Sequence, residues 1–474
     1  MSTTAGVHVL LYPFPAPGHI IPLLDFTHLL LTRGLTVTVL VTPSHLSLLH
    51  PLLSTHPSSS IQTLVLEPPD ASTSSLSRVA ANIRSTSELY NPILQWFQSH
   101  PSPPVAIISD FFLGWTNHLA SQIGVPRVVF WPSGVFASSV FNCMWRDLPK
   151  NDEPDNENFL ISFPNIPNSP TLPWWQLSHA YRYYKEGDPD WECIRNNMLA
   201  NLTSWGIVYN SFTELERPYI DTVKKELGHN RVWTVGPLLP PQDDLKGPTN
   251  RGGSSAVPPH EVMTWLDGKA DDSVVYVCFG SRGVLTHEQM DSLAAALECS
   301  GVHFIWCAKA TDQGHGDQHA GVILNELQDR VGARGFVIRG WAPQVAILRH
   351  RAVGAFVTHC GWNSVLEGVA AGVMMLTWPL SSDQFTNAKL LVDQLGVAVR
   401  VCEGGDQSVP DRIELNHLLV ESVNGTRPER AKIMQLQDAA LNAVKGGSSS
   451  RDLEEFFKQL RVCTGVKVID VVSA

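Results

Sequence analysis

The chain lacks the features that mark several protein classes. Its eight cysteines form no CxxC pair and no dense cluster, which argues against both a zinc site and a disulfide framework. Its lysines and arginines form no basic cluster, and the formal net charge is −11, whereas a protein that binds nucleic acid needs a basic face. We therefore expect reduced thiols, no bound metal and no nucleic-acid partner.

Long hydrophobic runs are missing as well. Every apolar stretch falls far short of the ~18–20 residues that a membrane span needs. No basic residue precedes the first apolar run, and Pro13, Pro15 and Pro17 interrupt it at once, which does not fit a signal peptide. These features predict a soluble protein without a transmembrane segment, in a reducing compartment that is most simply the cytosol. We expect a monomer.

The length and the composition together predict more than one globular domain. At 474 residues the chain exceeds the roughly 250–300 residues at which single hydrophobic cores stop growing. Hydrophobic residues make up 43% and charged residues 17%, which is typical of a packed protein and not of a disordered one. Two domains are the first expectation.

Strand-like and helix-like segments alternate in the first half. Val7–Tyr12 and Leu35–Val41 are short apolar runs, and the apolar positions of Ile20–Leu31 between them recur at helical spacing. The apolar runs Val105–Ser109 and Arg127–Trp131 follow. This rhythm predicts a parallel sheet wrapped by helices. Residues 146–191 are rich in proline, asparagine and aromatics and are predicted to form surface loops that shape a pocket.

The alternation restarts after a segment rich in Pro, Gly, Ser and Asp, which we interpret as a linker at 241–259. Predicted strands and helices then follow one another at Val274–Phe279, Thr286–Cys299, His303–Ala308, Phe336–Ile338, Val345–Leu348, Ala355–Thr358, Ser364–Ala371 and Met374–Trp378. The fold class is therefore α/β, with two doubly wound halves in tandem.

One predicted strand runs into a helix through His359, Cys360, Gly361, Trp362, Asn363 and Ser364. Free backbone N–H groups and the positive end of the helix dipole then meet at the carboxyl end of a strand, which favours an anion. Gly361 permits close approach, and His359, Asn363 and Ser364 add donors suited to a diphosphate. The alternative is an ordinary helix that begins with Asn and Ser.

The 44 residues from Trp341 to Gln384 read WAPQVAILRHRAVGAFVTHCGWNSVLEGVAAGVMMLTWPLSSDQ. They resemble the signature box of plant secondary-product UDP-glycosyltransferases, and the runs VGPLLP at 235–240 and VCFGS at 277–281 agree with the resemblance. It implies the GT-B fold, in which two Rossmann-like domains face each other across a cleft. It also implies an acceptor-binding domain at 1–240, a UDP-sugar-binding domain at 260–450 and a segment at 451–474 that starts as a helix and returns to the first domain.

The resemblance assigns the donor site residue by residue. It implies that Trp341 stacks on the uracil, that Ala342 reads the base edge through backbone atoms, and that Gln344 and Glu367 hydrogen-bond the ribose. Without it, Trp341 would be read as a core aromatic and Glu367 as a solvated helix residue. Ser281 follows another strand and is expected to reach the phosphates.

The sugar is expected against Trp362, Asp383 and Gln384. A carboxylate and a carboxamide suit a polyol because they accept from and donate to adjacent hydroxyls. In the family, glutamine at the last position of the box accompanies glucose donors and histidine accompanies galactose, with exceptions. Gln384 therefore favours UDP-glucose, and other UDP-sugars (rhamnose, xylose or galactose) remain alternatives.

The expected catalytic pair is His19 and Asp110. His19 lies between the first strand and the first helix, where open α/β sheets build their sites, and the resemblance matches it to a general base. Asp110 ends another strand and is expected to fix the imidazole tautomer and to stabilise the imidazolium. The expected acceptor is a small apolar hydroxylated molecule such as a flavonoid or phenolic. The alternative for His19 is a surface or capping histidine.

Three other functions compete with this interpretation. Asp188, Pro189 and Asp190 spell a DxD, which holds a metal in glycosyltransferases of another fold, but no strand precedes them. Neither half begins with GxGxxG followed by an acidic residue, which argues against a nicotinamide-dependent oxidoreductase. A non-catalytic UDP-sugar-binding protein remains the alternative from another class. We expect no cofactor, since the UDP-sugar is a co-substrate.

Overall fold

The computed structural model describes residues 6–70, 78–240, 255–308 and 318–463. Most of the predicted linker, residues 241–254, and the chain end at 464–474 lie outside the described residues. The chain divides into two compact units, the first made of Met1–Leu239 with Ala443–Ala474 and the second of Pro240–Asn442.

Unit 1 alternates strands and helices. Its strands are β1 (His8–Tyr12), β2 (Thr36–Val41), β3 (Ile61–Val65), β4 (Ala106–Asp110), β5 (Arg127–Trp131), β6 (Leu160–Ser162), β7 (Thr171–Pro173), β8 (Gly206–Tyr209) and β9 (Val232–Thr234). Its first nine helices are α1 (Pro17–Thr32), α2 (His50–Thr55), α3 (Arg78–Ser87), α4 (Tyr90–Ser99), α5 (Thr116–Ile123), α6 (Val135–Asp147), α7 (His179–Arg182), α8 (Pro189–Leu199) and α9 (Thr213–Leu227).

The main sheet of unit 1 is parallel and has the order β3-β2-β1-β4-β5-β8-β9 within the described residues. Strands β1, β4 and β5 are buried along their whole length, which explains why they read as continuous apolar runs. The order reverses between β1 and β4, with Tyr12 opposite Ser109. In doubly wound sheets, ligands bind at such a switch point, outside the carboxyl ends of the strands.

Unit 2 repeats this plan. Its strands are β10 (Val274–Cys278), β11 (His303–Ala308), β12 (Gly335–Arg339), β13 (Val353–Thr358), β14 (Met374–Thr377) and β15 (Ala398–Arg400). Its helices are α10 (Pro259–Asp267), α11 (His287–Ser300), α12 (Gln318–Val331), α13 (Gln344–Leu348), α14 (Trp362–Ala371), α15 (Gln384–Lys389), α16 (Arg412–Val423) and α17 (Pro428–Val444).

The sheet of unit 2 is parallel in the order β12-β11-β10-β13-β14-β15, and its switch point lies between β10 and β13, where Cys278 is opposite Thr358. Helix α11 begins with a capping box: the Thr286 hydroxyl accepts from the backbone N–H of Gln289, and the Gln289 side chain accepts from the backbone N–H of Thr286. Two Rossmann-like units confirm the predicted α/β fold class with two doubly wound halves.

The last helix, α18 (Ser448–Cys463), belongs to unit 1. Its apolar face, with Leu453, Phe456, Phe457 and Leu460, lies in the same core cluster as β1, β2 and α1. The sequence-based boundaries put residues 443–450 in the second domain, whereas the structure groups them with unit 1. The physical reason is local, because Ser448 donates to Glu214 and Ser449 donates to the carbonyl of Gly236.

Two details differ from the sequence analysis. Helix α1 begins at Pro17, so His19 lies in its first turn and not in the loop before it; proline is favoured there because its fixed φ suits the first helical position. Residues 146–191, predicted to be loops, include the antiparallel pair β6–β7 and the short helix α7. Within the described residues, no helix combines the length and the apolar character that crossing a membrane requires.

Candidate functional site

His19 and Asp110 meet at the switch point of unit 1. His19 follows β1 in the first turn of α1, and Asp110 is the last residue of the neighbouring β4. His19 Nδ1 donates to Asp110 Oδ2 at 2.8 Å. The Asp110 side chain is fully buried and that of His19 is 18% exposed. The hydrogen bond fixes Nδ1 as the protonated nitrogen and leaves Nε2 to accept a proton.

Aromatic rings surround the imidazole. Phe111 and Phe112 lie stacked against it at 5.6 and 5.1 Å between ring centroids, and Phe14 approaches edge-on at 5.5 Å. Asp110 Oδ1 accepts from the backbone N–H of Phe112 at 2.9 Å, so both carboxylate oxygens have partners. The geometry suits a base that works on an apolar substrate, because the rings hold the imidazole and exclude water from one side.

Arg127 lies beneath this pair and was missed by the sequence analysis. It is the first residue of β5, it is 1% exposed, and burial lowers its pKa to about 9, partly offset by the Asp110 carboxylate. Its guanidinium donates to Ser109 Oγ at 2.9 Å and to the backbone carbonyl of Asp110 at 3.3 Å. At neutral pH the group is still cationic. A charged residue at the start of an apolar strand is the signal that could have revealed it.

The turn after Asp110 is held by side chains of α8 and of the short 3-10 helix Ala200–Thr203 that follows it. Asn201 donates to the carbonyl of Phe111 at 2.9 Å, and Asn197 donates to that of Phe112 at 2.7 Å. Arg127 also donates to Asn201 at 3.0 Å, so the two networks join. Gly114 permits the approach, because a Cβ there would collide with the carbonyl of Asn197. The dyad therefore rests on a network of hydrogen-bonded polar side chains.

In unit 2, β13 leads into α14 at the residues for which the sequence predicts an anion site. The helix has ten residues, from Trp362 to Ala371, with Gly361 as its N-cap. Cys360 has φ +62°, a left-handed conformation that is strained for a residue with a side chain, and it turns the chain into the helix. Asn387 fixes this turn by donating to the Cys360 carbonyl at 2.9 Å. The free N–H groups of the first helical turn face outward from the strand ends.

His359 packs between two glycines at this helix start. A Cβ at either Gly280 or Gly361 would collide with His359 Nε2, and Gly280 also has φ +72°. Burial lowers the pKa of His359 to about 4, so the imidazole is neutral at physiological pH. Its Nδ1 has no hydrogen-bond partner within the described part of the chain. A buried ring nitrogen without a partner is suited to a ligand.

Gln344, Ser364 and Glu367 form one hydrogen-bonded group. The Gln344 amide donates to Glu367 Oε2 at 2.6 Å and to Ser364 Oγ at 2.9 Å. Its carbonyl oxygen accepts from the hydroxyl of Tyr276, on β10, at 3.1 Å. Both amide hydrogens therefore have acceptors within the protein. Tyr276 was missed because its part depends on a contact between distant segments that no local pattern reveals.

Asp383 and Gln384 begin α15. Asp383 Oδ2 accepts from Asn387, the residue that also bonds the Cys360 carbonyl, at 3.0 Å. Gln384 Oε1 accepts from the backbone N–H groups of Leu380 and Ser381 at 2.8 and 3.0 Å. The amide oxygen of Gln384 is thus engaged, whereas its NH₂ group donates to Ser381 Oγ at 3.4 Å and has a second hydrogen for a ligand.

The other predicted donor residues lie in unit 2, where the carbonyl of Ala342 accepts from the backbone N–H of Gln344 at 2.8 Å. Ser281 is exposed after β10, Trp341 is half-buried and accepts from the backbone N–H of Ala256 at 2.8 Å, and Ala342 is buried. Trp362 is 4% exposed and Asn363 half-buried, both in the first turn of α14. Each of these residues follows the carboxyl end of a strand of unit 2 by a few positions in the chain. Ser281 follows β10, Trp341 and Ala342 follow β12, and Trp362 and Asn363 follow β13.

The DxD at 188–190 has a structural role. Asp188 is the N-cap of α8 and its carboxylate accepts from the backbone N–H groups of Asp190 and Trp191 at 3.0 and 3.4 Å. Asp190 forms an ion pair with Arg84. Both carboxylates therefore have partners of their own.

Comparison with known proteins identifies the family. The model of the family described as UDP-glucoronosyl and UDP-glucosyl transferase matches residues 237–407. UDP-glycosyltransferase 89B2 of Stevia rebaudiana is 51% identical, with 96% of this chain and 98% of that protein covered. Flavonol 3-O-glucosyltransferase UGT89B1 of Arabidopsis thaliana is 49% identical, with 96% of each chain covered.

A solved structure agrees with the fold. The crystal structure of Arabidopsis thaliana UGT89C1 complexed with UDP-L-rhamnose has a TM-score of 0.77 and 38% identity, and the match covers 96% of this chain and all (100%) of that one. Identity of this extent over nearly the whole chain leaves no other family to consider. The protein is an enzyme that belongs to the plant family 1 UDP-glycosyltransferases.

Proposed function

We propose that the protein is an inverting glucosyltransferase that moves glucose from UDP-glucose to a hydroxyl of a flavonoid or phenolic. The observation that carries the proposal is the 2.8 Å hydrogen bond from His19 Nδ1 to the buried Asp110, set among the rings of Phe14, Phe111 and Phe112. A neutral imidazole held in this tautomer is a general base for an aromatic hydroxyl.

The proposed reaction is a single displacement. His19 Nε2 takes the proton of the acceptor hydroxyl, and Asp110 stabilises the imidazolium that forms. The acceptor oxygen then attacks the anomeric carbon while the bond to UDP breaks, through an oxocarbenium-like transition state, and the configuration inverts. Each step balances, because the proton stays on His19 and the electron pair leaves with UDP.

The proposed donor site lies in unit 2. Trp341 and Ala342 take the uracil, and Gln344 and Glu367 take the ribose. The start of α14 takes the diphosphate with Ser281, His359, Gly361, Asn363 and Ser364. The dipole of α14 and the donors beside it supply positive potential to the leaving diphosphate, so we propose that no metal is needed. Chelation with EDTA should then leave the rate unchanged.

Gln384 is the residue that favours glucose as the transferred sugar. Trp362 and Asp383 are proposed to line the sugar with it. UGT89B1 is by its name a flavonol 3-O-glucosyltransferase, which supports both glucose and a flavonol hydroxyl. The UGT89C1 structure was solved with UDP-L-rhamnose. UDP-rhamnose is therefore the alternative donor that a relative supports. The eight free thiols are consistent with a cytosolic enzyme, which we also propose.

The test is a donor and acceptor screen. The protein is incubated with UDP-glucose, UDP-rhamnose, UDP-xylose and UDP-galactose, each with a panel of flavonols and simple phenols, and products are identified by mass spectrometry. We expect a hexose adduct with UDP-glucose and a β linkage in the NMR spectrum of the product. If UDP-rhamnose gives a deoxyhexose adduct faster than UDP-glucose gives a hexose adduct, the proposed donor is UDP-rhamnose and not UDP-glucose. Binding of nucleotide without any product would favour a non-catalytic binder.

A further inference from the structure

The hydroxyl of Tyr276 donates to the side-chain oxygen of Gln344 at 3.1 Å. Its ring is fully buried on β10 and stacks on Phe356 of the neighbouring β13, at 5.1 Å between centroids. The stacking and the strand fix the position of the hydroxyl. Burial raises the pKa of Tyr276 well above its ordinary value, so the hydroxyl remains a hydrogen-bond donor at any physiological pH.

The hydroxyl selects one of the two orientations of the Gln344 amide. Because it donates at 3.1 Å, the amide oxygen must face it, and the NH₂ group must then face Ser364 and Glu367. In the opposite orientation the amide oxygen would face the Glu367 carboxylate, which also only accepts hydrogen bonds when ionised. The Glu367 Oε2 atom is therefore held at 2.6 Å by an amide that Tyr276 orients.

We propose that Tyr276 is a positioning residue for the ribose of the UDP-sugar, acting through Gln344 on the Glu367 carboxylate. The inference rests on the proposed function, in which Gln344 and Glu367 take the ribose. Tyr276 itself touches no substrate in this account. A carboxylate suits a ribose diol because it accepts from both hydroxyls, but only while it is held in one orientation. Tyr276 thereby contributes to selection of a ribonucleotide.

The test compares UDP with 2′,3′-dideoxy-UDP, which lacks both ribose hydroxyls, by calorimetry. Tyr276→Phe removes a single hydroxyl and keeps the ring. Loss of one hydrogen bond behind the ribose should weaken UDP about three- to tenfold and change the affinity for the dideoxy compound by less than about twofold. A merely structural role would weaken both ligands equally, and that result, or an unchanged UDP affinity, would overturn the proposal.

A matched control is Tyr209→Phe. Tyr209 is also a fully buried strand tyrosine, but it lies on β8 of unit 1 and accepts from Ser138 at 3.0 Å. Its loss should not change the ratio of the two nucleotide affinities. In a Gln344→Ala background, Tyr276→Phe should have no further effect on UDP affinity, because the amide that it orients is gone. An equal loss in both backgrounds would contradict the proposed route.

Glu367→Ala separates this inference from the proposed function. If Glu367 binds the ribose, this variant loses the preference for UDP over the dideoxy compound. A preference that survives Glu367→Ala removes the ribose contact and the positioning role together. If Glu367→Ala loses the preference for UDP and Tyr276→Phe keeps it in full, the ribose contact of Glu367 stands and only the positioning role of Tyr276 is refuted. In steady-state assays we expect Tyr276→Phe to raise KM for the UDP-sugar more than it lowers kcat.

Discussion

The guanidinium of Arg127 donates to the backbone carbonyl of Asp110 at 3.3 Å, directly beneath the carboxylate that holds His19. The same guanidinium reaches Ser109, Asn201 and Ser204, at 2.9, 3.0 and 2.8 Å. One buried cation thus joins the end of β4, the start of β5 and the turn after α8. The position of the dyad depends on a residue that lies outside it.

Arg127→Met should destabilise unit 1 and lower activity. It removes the hydrogen bonds of the guanidinium to four buried groups, among them Asn201 Oδ1, which costs about 3 kcal/mol in the free energy of unfolding. Arg127→Lys keeps the charge but loses the several N–H donors of the guanidinium. Its free energy of unfolding should lie between those of the parent and of Arg127→Met. Urea denaturation measures the effect. A free energy of unfolding within about 0.5 kcal/mol of the parent for Arg127→Met would contradict this account.

Removal of the base should abolish transfer and spare nucleotide binding. His19→Ala is expected to lower kcat by about 10²–10⁴, with the affinity for UDP unchanged, because His19 acts on the acceptor. His28→Ala is the control, since His28 lies on the same helix and bonds His56 at 3.0 Å. Equal loss of transfer and of UDP binding would refute the assigned role.

The two dyad residues should act as a unit. Asp110→Asn keeps the shape of the side chain and removes the charge that stabilises the imidazolium, so it should lower kcat strongly. In a His19→Ala background, Asp110→Asn should lower kcat hardly any further, because the imidazole that Asp110 orients is gone. Single-turnover rates for the two single variants and the double variant measure this. Multiplicative losses would show that the residues act independently.

Much of the fold follows from the sequence because the sheets are parallel and buried on both faces. Such strands are continuous apolar runs, and β5 and β11 have the bounds that the sequence predicts. The catalytic pair could be proposed for the same reason. Residues that end neighbouring parallel strands share one edge of the sheet, and the order of βαβ units makes β1 and β4 neighbours.

The remaining features depend on contacts between distant parts of the chain. Arg127 reads as an ordinary charge at the start of a strand until Asn201 and Ser204 fold beneath it. Tyr276 reads as a core aromatic until Gln344 comes within 3.1 Å. The left-handed φ of Cys360 is equally hidden, because cysteine has no preference for that conformation. Such contacts arise only from the tertiary structure.

UDP binding should require glycine at position 361 because the His359 ring leaves no room for a side chain there. The Gly361 φ of −59° is ordinary, so Gly361→Ala adds no backbone strain, but its Cβ would collide with His359 Nε2. We expect Gly361→Ala to weaken UDP binding about tenfold or more, by displacing the ring and crowding the helix start. Gly321→Ala is the control, since a Cβ there meets nothing within 4 Å.

The collision can be tested directly with a double-mutant cycle. In a His359→Ala background, Gly361→Ala should cost much less UDP affinity than in the parent, because the ring that the new methyl group meets is gone. Titration calorimetry with UDP gives the four affinities. Equal costs in both backgrounds would show that Gly361 is needed for another reason, such as approach of the ligand to the backbone.

Gln384 should act on the sugar through its NH₂ group. Gln384→Glu keeps an acceptor for the N–H groups of Leu380 and Ser381 and removes that NH₂ group. We expect kcat/KM for UDP-glucose to fall about tenfold and the affinity for UDP, which lacks the sugar, to change by less than about twofold. Gln435→Glu, at an exposed position of α17, is the control. An unchanged rate would remove Gln384 from donor selection.

His359 should make the stability of the protein depend on pH. Its pKa is about 4 in the folded state and about 6.5 when unfolded, so below pH 6.5 the unfolded state binds the extra proton. The contribution of the neutral ring is therefore present above pH 6.5 and is lost as the pH falls towards 4. Between pH 7 and pH 5 the loss amounts to about 2 kcal/mol.

His359→Gln should remove this part of the acid sensitivity. The other histidines whose pKa values are lowered by burial, such as His8 and His303, remain in both proteins, so the difference between the variant and the parent isolates His359. We expect the free energy of unfolding, measured with urea without nucleotide, to fall less in the variant than in the parent between pH 7 and pH 5. Parallel losses would show that His359 is charged in the folded protein and that its ring is solvated.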